Sequence, residues 1–305
     1  MSPRISYSAA QDDLFNPGRR DGFFSPAPQS EAALCAEMAR LAYCRKEPDF
    51  GFDQGRIQKI LKVVGFKCQF FESQNRPQGK GVHCFLAVGD DAGENGKLAV
   101  VSFRGTDIED TSNLVFDVDL ELEKWPGPAK VHRGFAKALE EVRPDLTLAL
   151  ESIGPCRSLY TGHSLGAAMA TLMAGLRRPN ALYTFGSPLV GDVDFVAALQ
   201  NLKSFRYVDC CDLVARVPPE GLGYRHLGVP YYIKRNRKVT INPSERSIFW
   251  DHVSAVAAFV VRYAFGKDNE RVRELADHAP INYVWPVKGQ AQETGFGLRE
   301  SSFRP

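Results

Sequence analysis

The sequence Gly162-His163-Ser164-Leu165-Gly166 constrains the fold of this chain more than any other feature. A strand-like segment, residues 157–160, precedes it, and an Ala-rich helical segment, residues 167–176, follows it. A sharp strand-to-helix turn holds the serine hydroxyl exposed, and the flanking glycines let the two elements approach without a Cβ clash. The start of the helix also directs free backbone N–H groups at the reaction centre. A Gly/Ser loop between core elements is the alternative, but this setting favours Ser164 as the nucleophile of a serine hydrolase.

The composition is that of a soluble globular protein with a sizeable core. Apolar residues make up 44% and charged residues 24% of the 305 positions, and the formal net charge is +2. This charge balance gives no sign of a nucleic-acid partner or of an anionic membrane surface. No internal repeat or second core is evident. We therefore expect a single α/β domain over residues 30–285, preceded by an irregular arm at 1–29 and followed by a loose tail at 286–305.

Targeting, redox and metal signals are weak in this sequence. Residues 1–20 carry no apolar segment of the kind found in a secretory signal peptide, and the longest nearly apolar run, residues 253–261, is far shorter than the ~20 residues of a spanning helix. The seven cysteines are odd in number, irregularly spaced and without zinc-ligand spacing. We therefore expect reduced thiols, no metal ion, no transmembrane segment and a cytoplasmic location, with non-classical secretion as the alternative.

Segments with the character of strands alternate with helical segments along the chain. This alternation predicts an α/β fold in which a mostly parallel central sheet carries helices on both faces. The predicted strands are residues 66–71, 83–88, 98–103, 157–160, 181–185, 205–208, 231–234 and 238–241, and the predicted helices are residues 30–45, 54–64, 134–153, 167–176, 191–201, 252–265 and 270–277.

A serine nucleophile needs a histidine base, which in an α/β-hydrolase follows the serine and the acid in chain order. Of the six histidines, two precede Ser164, one lies inside the motif, and one lies in a turn-rich run that favours a structural hydrogen bond; these are His83, His132, His163 and His226. His252 opens a predicted apolar helix, and His278 lies in a late loop. Position favours His278, and His252 is the alternative.

The carboxylate that orients the base is expected in a loop after a strand. Asp209 and Asp212 both follow the predicted strand 205–208, and Asp212 begins a loop that ends in two prolines, which stiffen it. Asp192 and Asp194 follow a different strand and are predicted to open a helix. These positions favour Asp212.

Five blocks of this sequence occur in an order that resembles the fungal-type (class 3) triacylglycerol lipases, over about residues 98–283. The blocks are Phe103-Arg104-Gly105-Thr106, Val131-His132-Arg133-Gly134-Phe135, Thr161 to Ala168, Thr184 to Asp192, and Asp212 to Pro219. The resemblance implies the α/β-hydrolase fold and a catalytic triad of Ser164, Asp212 and His278. It also implies an oxyanion hole formed by the backbone N–H groups of Thr106 and Leu165, with the Thr106 hydroxyl as a third donor.

The resemblance assigns scaffold roles to other residues. It implies that Arg104 forms a structural ion pair with Asp117, and that His132 and the turn Gly186-Ser187-Pro188 support the fold. It implies no cofactor, because acyl transfer by a triad needs none.

The segment after Thr106 is short. Residues 117–123 alternate strictly between acidic and apolar side chains, which predicts a half-exposed strand. Residues 107–116 are left for the amphipathic lid that covers the site in the family's lipases, and its predicted apolar contacts are Ile108, Leu114, Val115 and Phe116. A short acidic lid predicts weak interfacial activation, and an ordinary surface loop is the alternative.

These observations predict a serine carboxylic-ester hydrolase that acts through an acyl-enzyme. The resemblance implies a triacylglycerol lipase or carboxylesterase with a lipid-ester substrate, met at an oil–water interface in the family's lipases. An esterase, phospholipase or galactolipase with the same triad is the alternative. A non-catalytic lipid-binding module on a hydrolase scaffold is more remote, because all three triad candidates are present.

Overall fold

The computed structural model describes residues 7–46, 51–73, 81–91, 96–105, 120–263 and 266–290. The strands of this part are β1 (Lys67–Glu72), β2 (His83–Asp91), β3 (Gly96–Phe103), β4 (Leu122–Lys124), β5 (Lys130–His132), β6 (Arg157–His163), β7 (Ala181–Phe185), β8 (Ser204–Asp209), β9 (Pro230–Ile233) and β10 (Val239–Ile241). Eight of them form one sheet in the order β1-β2-β3-β6-β7-β8-β9-β10, and β4 pairs with β5. The pairings from β3 to β9 are parallel, and those at the two edges are antiparallel.

Five of the ten helices in the described residues begin with a capping side chain. Ser30 accepts a hydrogen bond from the N–H of Ala33, and Asp192 does the same for Phe195. The helices are α1 (Gln11–Phe15), α2 (Glu31–Leu41), α3 (Gln54–Val63), α4 (Arg133–Glu140), α5 (Arg143–Ser152), α6 (Leu165–Leu176), α7 (Val193–Ala198), α8 (Glu245–Arg262), α9 (Arg273–Ala276) and α10 (Pro280–Gly289).

Alternate residues of the central strands pack into two cores on opposite faces of the sheet. On β3, Leu98 and Val100 join one core, and Ala99 and Val101 join the other. Helices α2 and α10 supply the first core, and α4, α5 and α6 supply the second. Burial on both faces explains the almost continuous apolar runs of these strands. The predicted α/β-hydrolase fold is confirmed.

The predicted helix 134–153 is wrong as a single element. The structure has two helices, α4 and α5, separated at Glu141 and Val142. Pro144 lies in the first turn of α5, where its missing N–H costs nothing. In a continuous helix its ring would instead clash with the carbonyl of Glu140, four residues earlier, so the helix is interrupted there.

The predicted helix 252–265 begins seven residues earlier than expected. Ser244 accepts a hydrogen bond from the N–H of Ser247 and starts α8 at Glu245. His252 is therefore an interior residue of this helix and does not open it. The prediction followed the apolar pattern that begins at residue 253 and overlooked the capping residue upstream, Ser244.

Two predicted boundaries near the chain ends also differ. Helix α10 crosses the boundary set at residue 285, and Val284 and Val287 are fully buried, so residues 286–289 belong to a packed helix and not to a loose tail. The arm at 1–29 is not wholly irregular, since it contains α1, and its Leu14 and Phe24 are buried in the first core. The division into arm, domain and tail otherwise stays a prediction.

A tight turn joins β6 to α6 at Ser164. Its φ and ψ are 59° and −130°, a conformation that is strained for a residue with a side chain. The glycines on either side permit this turn. A Cβ on Gly162 would lie 2.2 Å from the carbonyl oxygen of Gly166, and a Cβ on Gly166 would lie 2.2 Å from that of Phe103. The helix therefore contacts the neighbouring strands backbone to backbone.

Gly166→Ala should destabilise the protein strongly, because its Cβ would meet the backbone of β3, which cannot rotate away as a side chain could. We expect a loss of ~2–4 kcal/mol in the free energy of unfolding, measured by urea denaturation. Gly55→Ala is the matched control, since a Cβ there lies 3.9 Å from its nearest neighbour inside α3. That control should gain up to ~1 kcal/mol from helix propensity. Equal stability of the two variants would contradict the close approach.

Candidate active site

Three side chains from distant parts of the sequence form a hydrogen-bonded chain. The Oγ of Ser164 lies 2.9 Å from Nε2 of His278, and Nδ1 of the same imidazole lies 2.9 Å from both carboxylate oxygens of Asp212. Because an ionised carboxylate can only accept, Nδ1 carries the proton and Nε2 accepts from the serine. All three side chains are almost fully buried. The structure thus brings together the three residues predicted as the triad.

The parallel strands explain why these residues meet. Ser164 follows β6, and Asp212 lies in the turn that follows β8, so both come after the carboxyl ends of parallel strands at one edge of the sheet. His278 lies between α9 and α10. Loops at this edge are the usual location of sites in open α/β sheets.

The charge of Asp212 is stabilised from several directions. The N–H groups of Val214 and Ala215 donate to its Oδ1 at 2.9 and 3.4 Å, and the hydroxyl of Tyr283 donates to its Oδ2. Burial by itself would raise the pKa of Asp212, but His278 and the hydrogen bonds from His278 and Tyr283 outweigh burial and lower the pKa below its ordinary value. Asp212 is therefore ionised and can support a positive charge on the imidazole.

Tyr283 is a site residue whose contact the sequence did not predict. Its hydroxyl donates to Asp212 and accepts a hydrogen bond of 3.1 Å from the backbone N–H of Asp209. Burial and the neighbouring carboxylate of Asp212 raise the pKa of Tyr283 well above its ordinary value, so it remains a donor. Tyr283 and Asp212 are 71 positions apart, so no local sequence pattern signals this contact.

Gly186 makes room for the acid and the base. Its φ is +58°, and a Cβ at this position would lie 2.6 Å from Oδ2 of Asp212 and 3.2 Å from Nδ1 of His278. Both the left-handed backbone and the close approach require glycine. The turn Gly186-Ser187-Pro188 therefore borders the triad directly.

His163, which was excluded as the base, contacts the base from the opposite side. Its Nε2 donates to the backbone carbonyl of His278 at 2.7 Å, which leaves Nδ1 to accept from the hydroxyl of Tyr43, also at 2.7 Å. Burial and the neighbouring His278 lower the pKa of His163 well below its ordinary value. The ring is thus neutral. It links the loop that contains His278 to Tyr43, which lies two residues after the end of α2.

The alternative acid, Asp209, is occupied elsewhere. It is fully buried and accepts two hydrogen bonds from Arg237, at 2.8 and 3.1 Å, and one from the N–H of Cys210. Burial raises the pKa of Asp209 to about 8, although Arg237 opposes this effect. The structure records no hydrogen bond between Asp209 and the described histidines, so Asp209 does not take the position of the orienting acid.

The other candidate histidines have structural partners. Nδ1 of His252 lies 3.3 Å from Arg216, and its Nε2 lies 3.7 Å from Glu274. His226 donates to the carbonyl of Ala215 at 2.9 Å, and burial lowers its pKa to about 3. His132 caps α4 and stacks on Phe135 with ring centroids 3.9 Å apart. These contacts agree with the structural hydrogen bond expected for His226 and the scaffold role implied for His132.

Comparison with known proteins agrees with this geometry. The family model described as Lipase (class 3) matches residues 100–222. Over these residues the chain is similar to the class 3 lipases. The resemblance noted in the sequence is therefore confirmed, and the matched region contains Ser164 and Asp212 but not His278.

Two relatives and one solved structure illustrate the similarity to lipases. Secreted mono- and diacylglycerol lipase 1 of Fusarium solani is 39% identical over 34% of this chain, and the lipase of Rhizomucor miehei is 31% identical over 49%. The matches span only 34% and 45% of the length of those two relatives. The crystal structure of a lipase from Rhizopus microsporus var. chinensis is 28% identical, with a TM-score of 0.52, and the match covers 66% of this chain and 71% of that one.

The prediction of a cytoplasmic location is wrong on this comparison. The relative from Fusarium solani is a secreted lipase, and this similarity points to secretion. The prediction rested on the lack of an apolar segment in residues 1–20 and on unpaired cysteines. All seven cysteines are free thiols, and five of them are buried. A buried thiol is protected from oxidation, so free thiols of this kind are compatible with secretion.

Of the two residues predicted to form the oxyanion hole with their backbone N–H groups, Leu165 lies in the described part of the chain. Leu165 is the first residue of α6, so its N–H lies at the free end of the helix next to Ser164. Thr106, the predicted lid at 107–116 and Asp117, the predicted partner of Arg104, lie outside the described residues. Gly105 is described, and a Cβ there would lie 3.1 Å from Cβ of Ser164. The chain that leads to Thr106 therefore passes directly beside the nucleophile.

One group of side chains in the described residues has the spacing of a metal site: Cys210, Cys211 and Asp277. Its chemistry does not suit a cation. Nε of Arg273 donates to Asp277 at 3.0 Å, and NH2 of the same guanidinium lies 3.8 Å from Sγ of Cys210. The hydrogen bond with Cys211, together with burial, raises the pKa of Cys210, so the thiol stays protonated and donates to Asp277.

Among the described helices, none is long and apolar enough to cross a membrane.

Tyr283→Phe tests the support of Asp212. The change leaves the carboxylate and the N–H of Asp209 each without one hydrogen bond in a buried site, so we expect kcat/KM for a soluble ester to fall about tenfold. The free energy of unfolding should fall by ~1–3 kcal/mol. Tyr207→Phe is the control, because this buried hydroxyl donates to Gln290 at 3.2 Å, away from the triad. The control should retain its turnover, and an unaltered kcat/KM in Tyr283→Phe would contradict the assigned contact.

Proposed function

We propose that this chain is a serine carboxylic-ester hydrolase that cleaves acylglycerols through an acyl-enzyme. The observation that carries the proposal is the continuous hydrogen-bonded chain from Ser164 through His278 to Asp212, built at a strand–turn–helix motif and buried from water. This arrangement matches the roles of nucleophile, general base and orienting acid that acyl transfer requires.

The reaction follows from the donors and acceptors of the site. Nε2 of His278 accepts the proton of Ser164 as Oγ attacks the ester carbonyl, and Asp212 stabilises the imidazolium that results. The imidazolium then returns the proton to the departing alcohol, which leaves an acyl group on the serine. Water, deprotonated by the same imidazole, attacks this ester; the imidazolium returns the proton to Oγ of Ser164 as the acyl–oxygen bond breaks, and the carboxylic acid is released. No metal or cofactor is assigned to any of these steps.

The negative charge on the carbonyl oxygen needs donors on the side of the carbonyl away from the base. We assign this function to the backbone N–H groups of Leu165 and Thr106, with the Thr106 hydroxyl as a third donor. The position of Leu165 at the start of α6 supports the first donor, since the dipole of the helix favours negative charge there. The contact between Gly105 and Ser164 supports the second.

The similarity to the mono- and diacylglycerol lipase of Fusarium solani and to the lipase of Rhizomucor miehei favours a lipid ester as substrate. Hydrolysis of emulsified acylglycerols, compared with a series of soluble p-nitrophenyl esters of increasing chain length, tests this assignment. Preference for short soluble esters would indicate an esterase, and preference for phospholipid or galactolipid would indicate the corresponding lipase.

Ser164→Ala tests the nucleophile. The variant lacks the oxygen that forms the acyl-enzyme, so we expect turnover to fall by about 10⁶-fold and labelling by a fluorophosphonate to disappear. The fold should persist, because the hydroxyl contributes little to packing. A wild-type protein that neither hydrolyses esters nor reacts with the fluorophosphonate would instead indicate a lipid-binding module.

Paired substitutions test the base and the acid. His278→Ala should nearly abolish activity, whereas His252→Ala should at most reduce stability, because the polar partners of His252 are Arg216 and Glu274 and not Ser164 or Asp212. Asp212→Asn should cost about 10⁴-fold in kcat, because it disturbs the tautomer of the base. Asp209→Asn should mainly reduce stability by removing the carboxylate that pairs with Arg237. Equal losses of kcat at the two aspartates would leave the acid unassigned.

A further inference from the structure

Helix α8 exposes an unusual number of large apolar side chains. Phe249, Trp250 and Val253 are 58%, 56% and 42% exposed, and Val260 and Val261 are 44% and 84% exposed. These five residues, together with the exposed Ala257, lie within about one third of the circumference of the helix, at 100° per residue. We call this set the α8 stripe.

The opposite face of the same helix is already used to attach it to the domain. Ala255 and Ile248 pack with Cys210, Cys211 and Tyr232. Phe259 packs with Ala9 and Ala276 in a neighbouring cluster. Because this buried face already holds the helix against the domain, the α8 stripe is not needed to keep it in place.

The charges around the stripe are unevenly distributed. Arg246 lies within the angular range of the stripe near its N-terminal end, and Arg262 follows it at the other end of the helix. The acidic residues of α8 are Glu245, at its first position, and Asp251, which lies outside the angular range of the stripe. The carboxylate of Asp251 lies 3.6 Å from the guanidinium of Arg235 and accepts a hydrogen bond from the backbone N–H of that residue. No acidic side chain of the described helix therefore interrupts the stripe.

We propose that the α8 stripe binds a lipid surface; the proposal rests on the proposed function, in which the substrate is a lipid ester. Trp and Phe on the apolar face of a helix, with arginine beside them, are the composition of helices that lie in the interface of a bilayer. A stable protein dimer would bury about 20–30 residues on each side, far more than the six of the stripe. The net charge of +2 is small, so the apolar side chains supply most of the affinity and Arg246 a lesser part.

The location of α8 connects the stripe to the site. The carbonyl of Ala255 accepts a hydrogen bond of 3.0 Å from Arg273 in α9, the short helix directly before His278. On the other side, His252 contacts Arg216, which lies in the turn that follows Asp212. A lipid-bound α8 would therefore keep both catalytic loops beside the surface that contains the substrate.

The test uses the full chain carrying Ser164→Ala, so that no lipid is hydrolysed, and flotation with vesicles of phosphatidylcholine containing about 30% phosphatidylserine. A triple variant Phe249→Ser, Trp250→Ser and Val261→Ser should lower the partition coefficient about tenfold or more. The matched control is Val63→Ser, Leu148→Ser and Val193→Ser, which removes three helical side chains that are 63–65% exposed elsewhere on the molecule. The control should bind vesicles as the parent does, and thermal melting should show both triples folded.

The outcomes separate this proposal from the proposed function. With Ser164 restored, the triple variant should hydrolyse short soluble esters at the rate of the wild-type chain. Absence of vesicle binding in the parent, or equal loss in the control triple, would overturn the lipid surface while leaving the triad standing. A dimer in analytical ultracentrifugation that the stripe variant alone dissociates would also overturn it, in favour of a second copy of this chain.

Discussion

The buried carboxylate of Asp212 is the charge on which the rest of the site depends. An ionised carboxylate loses the solvation of water when it is buried, and this loss is unfavourable unless polar groups and an opposite charge replace it. Two backbone N–H groups of the following turn supply part of the replacement, and Tyr283 and His278 supply the rest. Their combined effect lowers the pKa of Asp212 despite complete burial. The charge is therefore stable only when β8, its turn and α10 are all folded.

Helix α10 consequently belongs to the framework of the candidate site. It begins two residues after His278 and carries Tyr283, and its Lys288 lies 2.5 Å from the buried Glu37 of α2. Helix α2 in turn covers β6: the carbonyl of its Cys35 accepts a hydrogen bond from Thr161, three residues before the nucleophile. The position of the base relative to Ser164 is thus fixed through packed elements on one face of the sheet, as well as through the direct hydrogen bond.

Local sequence signals predicted the parts of the site that depend on neighbouring residues. The glycines around Ser164 predicted the turn because their role is steric and local, and the prolines after Asp212 favoured that carboxylate over Asp209. The contacts of Tyr283 with Asp212 and of His163 with Tyr43 join residues 71 and 120 positions apart. No periodicity or spacing encodes such pairs, since they arise only when the sheet has brought its loops together. Two local signals were present in the sequence: Pro144 indicated the break before α5, and Ser244 indicated the start of α8. The prediction followed the apolar pattern instead of these residues.

The neutrality of His163 completes the electrostatic argument. In the proposed reaction, the positive charge that develops on His278 faces Asp212 on one side and the ring of His163 on the other, with the two imidazole ring centroids 4.5 Å apart. A second imidazolium at that distance would repel the first and cancel much of the support from the carboxylate. Burial instead lowers the pKa of His163, so its ring donates one hydrogen bond to the His278 carbonyl and adds no charge. His163, the residue before Ser164, therefore helps to position His278 through a hydrogen bond. Because its ring is neutral, it does not oppose the positive charge that His278 carries in the proposed reaction.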